Sequence, residues 1–200
     1  MALASYRQAA GTDEAGRGPL AGPVVAAAVI LSEDFDLEGV DDSKRLRETV
    51  RRELEIRIMA GSDWAVEISW TEEVDRINIL RASLAAMSRA VGRLAGRPSI
   101  VLVDGHMVPP NVPFPVQTVI GGDATYACIA AASILAKNER DRIMRQFGIE
   151  YPGYGFESHF GYATPGHLDA LRRLGPCPIH RRSFRPVREA LELNLFAAHD

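Results

Sequence analysis

Gly11-Thr12-Asp13-Glu14-Ala15-Gly16-Arg17-Gly18-Pro19-Leu20-Ala21-Gly22-Pro23 is the stretch around which the chain is organised. Two adjacent carboxylates are followed by an arginine between two glycines, and the apolar run Val24 to Leu31 comes next. Neighbouring side chains of an ideal strand point to opposite faces, so Asp13 and Glu14 need a bend to address one site. The glycines permit that bend and let a ligand approach the main chain. The stretch reads as a strand ending near Asp13, a bent Gly-Arg-Gly loop and a return strand. Acids beside a flexible basic loop suit a metal ion next to a phosphate. The plainer alternative is a charged turn between two hairpin strands.

Working outward, Val24 to Leu31 is a buried strand pairing with the first as an antiparallel hairpin. Asp41-Asp42-Ser43-Lys44 is a loop, and Val50, Leu54 and Ile58 give helical spacing from about Arg47 to Met59. Trp64, Val66, Ile68 and Trp70 alternate on one face of a strand. Thr71 is expected to cap a helix with Glu72 and Glu73 in its first turn, running with a break near Asn78 to about Leu94. Ile100 to Val103 is a short apolar strand that delivers Asp104-Gly105 at its C-terminal end, where ligands of α/β sheets tend to sit. A Pro-rich loop, Pro109 to Pro115, leads to a strand from Val116 to Ile120. Gly121-Gly122-Asp123 then opens a long helix to about Phe147, and Pro152 to Tyr162 is a Gly- and aromatic-rich loop. Thr164 as cap with Pro165 at the first position starts a helix to Leu174, and a last helix runs from Pro186 to about Leu195. Strands first with helices packed on them predict a mixed α/β domain.

With 200 residues the chain fits one domain with a real core. Its two cysteines, Cys128 and Cys177, supply neither a disulfide framework nor a four-cysteine zinc site, which fits a reducing cytoplasm. Val24 to Leu31 is too short to span a bilayer, so no membrane association is expected. The net charge of −3 conceals basic clusters at Lys44-Arg45-Arg47-Arg51-Arg52, at Lys137-Arg140-Arg142-Arg145 and at His180-Arg181-Arg182 with Arg185 and Arg188. Phosphate binding needs a local positive surface rather than a basic protein. The first two clusters read equally well as solvated helix faces. The third has too little apolar periodicity for one.

Acids therefore stand at three element ends: Asp13 with Glu14, Asp104, and Asp123. Such a set, without clustered Cys or His, selects Mg²⁺ or Mn²⁺ over zinc. Two such ions about 4 Å apart activate a water and stabilise the leaving oxygen in phosphodiester hydrolysis. Taken singly, Asp123 also reads as a helix N-cap. Asp141 is a rival fourth ligand, but on one continuous helix it would lie roughly 27 Å from Asp123 at about 1.5 Å per residue. Asp123 is preferred, since Asp141 sits among arginines expected to pair with it on the surface. A glycosidase using two of the acids, or a binding module without catalysis, explains less: the first leaves the Gly-Arg-Gly loop idle, the second the acids.

Asp13-Glu14-Ala15-Gly16-Arg17-Gly18-Pro19-Leu20-Ala21-Gly22-Pro23 resembles the opening motif of the bacterial ribonuclease HII family. Asp42-Ser43-Lys44, Ile77-Asn78-Ile79-Leu80, Val103-Asp104-Gly105, Gly122-Asp123 and Ile129 to Lys137 are similar to later motifs, in order. So are Tyr154-Gly155-Phe156, Gly161-Tyr162 and His180-Arg181-Arg182-Ser183-Phe184. The resemblance implies a ribonuclease H-like mixed sheet flanked by helices, with a core over residues 1–150. A small helical C-terminal part, residues 151–200, would complete the substrate groove within one structural unit. It implies an endonuclease that cuts the RNA strand of RNA–DNA hybrids and cuts 5′ of single ribonucleotides in duplex DNA, using two Mg²⁺ or Mn²⁺ ions. Asp13, Glu14, Asp104 and Asp123 would form the catalytic metal-binding set. Gly16, Arg17 and Gly18 would read the 2′-hydroxyl and adjoining phosphates, with Tyr162 at the ribose and Lys44 and Asn78 at phosphates. A cytoplasmic monomer is expected. The chain departs from the family pattern at Phe160, where a lysine is common, at Asn138-Glu139 and at His106-Met107. It ends a few residues after Phe196, so no long partner-binding tail is expected.

Overall fold

The computed structural model describes residues 3–4 and 8–197, with side chains to residue 192. The last residues of the chain, and with them the expectation about its C-terminal tail, lie outside that range. Two compact units share the chain. The first is built from Met1–Ala15, Val25–Ile68 and Ser83–Glu139, the second from Gly16–Val24, Ser69–Ala82 and Arg140–Asp200.

The first unit carries five strands: β1 (Ala9–Ala15), β2 (Val24–Leu31), β3 (Ser62–Ser69), β4 (Ile100–Asp104) and β5 (Val116–Val119). They form one sheet in the order β3-β2-β1-β4-β5. β1 pairs antiparallel with β2 as the hairpin reading requires, but parallel with β4, which in turn is parallel to β5. β1 does not end near Asp13; it continues through Glu14 to Ala15, so the bend follows both acids.

Helices α1 (Glu48–Gly61), α3 (Ile79–Gly92) and α4 (Ala127–Glu150) contribute residues to this unit, and α2 (Thr71–Ile77) belongs to the second. The period-two alternation of β1 and β4 serves two cores. Ala10, Val101 and Val103 pack with Ala86, Met87, Ala90 and Val91 of α3. Ala9 and Leu102 face the other way, onto Cys128 and Ile129 of α4. Each large side chain so enclosed, Leu102 or Ile129, contributes about 1.5–3 kcal/mol. Gly11 lies on the α4 side, where a Cβ would stand 2.2 Å from the carbonyl carbon of Cys128. Only a glycine lets α4 seat this closely on β1.

Several local expectations need correction. β3 stops at Ser69, so Trp70 is an exposed N-cap rather than a strand residue. The fully buried face of β3 carries Ala65, Glu67 and Ser69, because Arg89 and Arg93 pair with the Glu67 carboxylate. Thr71 is the first residue of α2 and does not cap it. The break at Asn78 is real: its φ of 69° separates α2 from α3, and its Oδ1 accepts the Arg81 N–H at 3.0 Å. Asparagine is among the few non-glycine residues that visit this region readily. Asp123 lies in a short 3-10 turn, Gly122–Ala124, ahead of α4 rather than at its N-cap. Asp141 is buried, not on the surface.

The second unit is mainly helical, with α5 (Phe156–His159), α6 (Pro165–Leu174) and α7 (Arg185–Ala197). Thr164 caps α6 as expected: its Oγ1 accepts the His167 N–H at 3.2 Å, with Pro at the first position. Phe156, Tyr154, Met144, Ala170 and Ile179 form its core, and the segment Leu20–Gly22 lies beside Ile179–Arg181 through backbone hydrogen bonds.

Candidate active site

Three neighbouring parallel strands present their C-terminal ends on one edge of the first unit's sheet. Thr12 pairs with Val103 across β1 and β4, which puts Asp13 and Asp104 one residue further at the same level. Asp104 is level with Val119 of β5, and the chain turns there into the 3-10 turn that holds Asp123. Asp13 shares the parity of Ala9 and Gly11, and Asp104 that of Leu102, so both fall on the α4 side. Glu14 has the opposite parity and is half-buried.

The site is electrostatically crowded. Asp13 is 3 % exposed, and burial, reinforced by Glu14 and Asp104, holds its carboxyl well above the usual range. A Ser133 hydroxyl and the Glu14 N–H, 2.7 Å from Asp13 Oδ1, oppose that shift. Burial also raises Asp104, against a hydrogen bond from Gly122 N–H at 2.7 Å. The Lys44 ammonium lies 3.2 Å from Asp123 Oδ2. Burial works to depress that ammonium, but Asp123 and Asp13 outweigh it and raise it above its ordinary value.

A hydrogen-bond frame that sequence reading missed fixes Lys44. Ser43 Oγ lies 2.8 Å from Ser133 Oγ, and the Ser133 hydroxyl in turn reaches Asp13. Arg51, read from sequence as a surface or phosphate-contacting cation, is buried and donates to the carbonyls of Ser43 and Leu46. Asn138 accepts from Arg51 Nε at 3.2 Å and donates to Arg51 O and Glu55 Oε2. That departure from the family pattern is thus a structural post. Its signal is an amide side chain in the middle of α4, just past the mainly apolar run Ala127–Ala136.

Among the described residues no three His, Cys, Asp or Glu side chains converge as a ready-made metal cage. The donor set still fits a hard divalent ion. Asp13, Asp104 and Asp123 offer oxygen only, and their mutual repulsion is what a cation relieves. Magnesium-type ions are commonly held by one or two carboxylates with substrate phosphates completing the shell.

In the second unit, the Gly16-Arg17-Gly18 loop is held from behind. Gly16 has φ +102°, a conformation natural to glycine, and a Cβ there would meet Arg140 Nε at 2.1 Å. Arg181, wholly buried, donates to the carbonyls of Gly16, Arg17, Pro19, Gly22 and Pro23 at 2.6 to 3.1 Å. Arg140, 1 % exposed, donates to Ala21, Pro23 and Phe160 carbonyls. Burial pushes Arg181 down to about 9, with Arg140 adding to it, and Arg140 down to about 10, so both stay charged at neutral pH. The basic clusters that contain them therefore give up these two members to internal carbonyls rather than to a phosphate surface, and His180 is buried as well, its ring between Cys177 and His167. Arg17 and Gly18 are exposed, and Tyr162, 47 % exposed, lies with its ring edge 3.6 Å from where a Gly18 Cβ would be. Asn78 is exposed, with its Oδ1 spent on capping α3. The structure thus groups Asp13, Asp104, Asp123 and Lys44 in one unit, and Gly16, Arg17, Gly18 and Tyr162 in the other.

The sequence pattern of the family described as ribonuclease HII matches residues 10–187, which takes in every residue of both groups. The chain belongs to the ribonuclease HII family. A ribonuclease HII of Maricaulis maris is 55% identical over 184 residues, covering 92% of this chain and 84% of that protein. One from Paracoccus denitrificans is 55% identical over 185 residues, covering 92% and 88%. The crystal structure of ribonuclease H2 from Pyrococcus horikoshii OT3 superposes with a TM-score of 0.77 at 29% identity, over 92% of this chain and 97% of that one. The fold is accordingly the ribonuclease H-like mixed sheet with flanking helices. As a ribonuclease HII, the chain is an endonuclease acting on the RNA of RNA–DNA hybrids. No helix among the described residues is long and apolar enough to cross a membrane.

Proposed function

We propose that this ribonuclease HII also cuts 5′ of single ribonucleotides embedded in duplex DNA, with Asp13, Glu14, Asp104 and Asp123 as its catalytic set. The observation that carries the reading is the delivery of Asp13, Asp104 and Asp123 to one sheet edge by three adjacent parallel strands. Asp13, Asp104 and Asp123 would hold two Mg²⁺ or Mn²⁺ ions, with Glu14, whose charge already acts on Asp13, completing the protein's share of ligands. When bound, the pair supplies an activated water and charge relief at the departing 3′-oxygen, so that 3′-hydroxyl and 5′-phosphate ends result.

The chain's own residues do the rest. Ser133 and the Glu14 N–H orient the Asp13 carboxylate, and Gly122 N–H orients Asp104. Lys44 offsets the negative charge of Asp123 until substrate arrives, then contacts a phosphate, as Asn78 does through its exposed surface. The 2′-hydroxyl is what separates RNA from DNA. Gly16, Arg17 and Gly18 test for it with a main chain that Arg181 holds in place at the carbonyls of Gly16 and Arg17. Tyr162 packs against the ribose.

The test uses a labelled DNA duplex with one ribonucleotide, a long RNA–DNA hybrid and an all-DNA duplex, each with Mg²⁺, Mn²⁺ or EDTA. Metal-dependent cleavage 5′ of the lone ribonucleotide, with all-DNA intact, is the expected result. Cleavage of the long hybrid alone overturns the junction reading of Gly16 to Gly18 and Tyr162. Asp104→Asn removes a ligand charge and should abolish turnover while leaving thermal unfolding largely unchanged. Near wild-type rates would remove Asp104 from the set.

A further inference from the structure

The second unit contains a chain of imidazoles to which the proposed chemistry assigns no role. His167 and His180 are fully buried, and their Nε2 atoms are 3.1 Å apart. At one end, the Cys177 N–H donates to His180 Nδ1 at 3.0 Å, and the Cys177 Sγ lies 3.1 Å from the same nitrogen. At the other end, His167 Nδ1 lies 2.9 Å from the Tyr162 carbonyl.

The main chain dictates where the protons are. A backbone N–H only donates, so His180 Nδ1 carries the lone pair and its proton is on Nε2. A carbonyl only accepts, so His167 Nδ1 carries the proton and its Nε2 the lone pair. His180 Nε2–H therefore points at the lone pair of His167 Nε2, and one assignment satisfies both main-chain bonds and the bond between the rings. His159 obeys the same logic. Its Nδ1 accepts the Gly161 N–H at 3.2 Å and its Nε2 donates to Tyr154 O at 2.7 Å. Its ring stacks on His167 at 4.5 Å, and its carbonyl accepts the Tyr162 N–H at 2.9 Å. Phe156 stands edge-on to His167 at 5.4 Å, and Tyr154 lies 5.2 Å from His180. These walls leave the chain little access to water.

We propose that His180 and His167 are positioning residues for Tyr162. A one-directional run of hydrogen bonds from Cys177 to the Tyr162 carbonyl fixes the residue that meets the ribose, and so sets the preference for a ribonucleotide junction. The functional half of this inference rests on the role proposed for Tyr162. Adding a proton to His167, or reversing either tautomer, opposes two donors or two acceptors across 3.1 Å, and adding one to His180 opposes the Cys177 N–H at 3.0 Å; each releases the run.

The first test reads the tautomers in the intact protein by long-range ¹H–¹⁵N correlation of the imidazoles at neutral pH. The expected pattern is Nδ1–H at His167 and Nε2–H at His180 and His159. The opposite tautomer at His167 or His180 overturns the inference whatever any variant does. The second test is kinetic. His167→Asn keeps an amide nitrogen where Nδ1 stands, whereas His167→Gln does not. His167→Gln should lower cleavage at a single ribonucleotide about tenfold, chiefly in KM, the weight of one well-placed hydrogen bond. Cleavage of a long hybrid should change by less than about threefold, and His167→Asn should recover most of the loss. Added to Tyr162→Ala, His167→Gln should cost nothing further. If Tyr162→Ala impairs junction cleavage and His167→Gln does not, the positioning role is overturned while that of Tyr162 stands. If Tyr162→Ala has no effect, the role of Tyr162 falls, and the functional half of the inference with it.

Discussion

Replacing Arg181 by methionine should unfold the second unit's loop platform more than it disturbs any single contact. The guanidinium serves five carbonyls, of which Pro23 O keeps a second donor in Arg140 Nε. The other four lose the Arg181 bond. At about 1–3 kcal/mol for each buried acceptor left without a donor, the gross loss is about 4–12 kcal/mol. Methionine no longer has to be stripped of a hydrated charge, which returns several kcal/mol. The net is a destabilisation of about 3–5 kcal/mol, a large share of the roughly 5–15 kcal/mol that holds a domain folded. At about 2–4 °C per kcal/mol for a chain of this size, the unfolding temperature should fall by roughly 6–20 °C. Arg181→Lys keeps the charge but cannot span the carbonyls, and should fall in between. Calorimetry of the three proteins at neutral pH decides it. If both variants melt within about 2 °C of wild type, Arg181 is not the post on which Gly16 to Pro23 rests.

Lys44→Met removes the ammonium 3.2 Å from Asp123 and should tighten Mn²⁺ binding in the absence of substrate about fivefold. Titration calorimetry showing equal or weaker binding would exclude Asp123 from the metal's surroundings. Burial, helped by His167, holds folded His180 down to about 4, against an ordinary 6.5. Between those values the unfolded chain binds the extra proton, so this contribution is complete above pH 6.5 and is lost as pH falls through 4, about 3 kcal/mol in all. Urea unfolding from pH 7 to 4.5 should therefore steepen for wild type relative to His180→Gln, and parallel profiles would contradict it. Gly11→Ala drives a Cβ into the backbone at Cys128 and should cost about 3 kcal/mol or more. An unchanged urea midpoint would mean that α4 gives way.

The carboxylate edge was legible because each acid ends a short apolar strand or follows one, a pattern set by residues within a few positions of one another. The position of Asp123 just past β5 is legible for the same reason, although it lies in a 3-10 turn and not at the start of a helix. Arg181 was not legible. Its acceptors lie 158 to 165 residues upstream, and nothing local separates a cation that will bind carbonyls from one that will meet phosphate. Arg140 and Arg51 share that ambiguity. Trp70 misled because an aromatic continuing an alternation looks like strand whether or not the ladder persists. Asp141 misled because arginines nearby in sequence suggested a surface pair, while the helix turns it inward.

The strand register described for β1, β4 and β5 makes the position of Asp104 a matter of phase. A residue gained or lost between Ile100 and Asp104 would carry its carboxylate to the α3 face, since the side-chain period is two. Two residues would restore the face but displace the group by roughly 6.6 Å, out of range of Asp13. The sheet edge behaves as a counting device, in which strand length is quantised and a near miss is worth no more than a total one. Freedom to lengthen or shorten is therefore left to the connections, such as the residues between Gly105 and Pro115, which carry none of these acids.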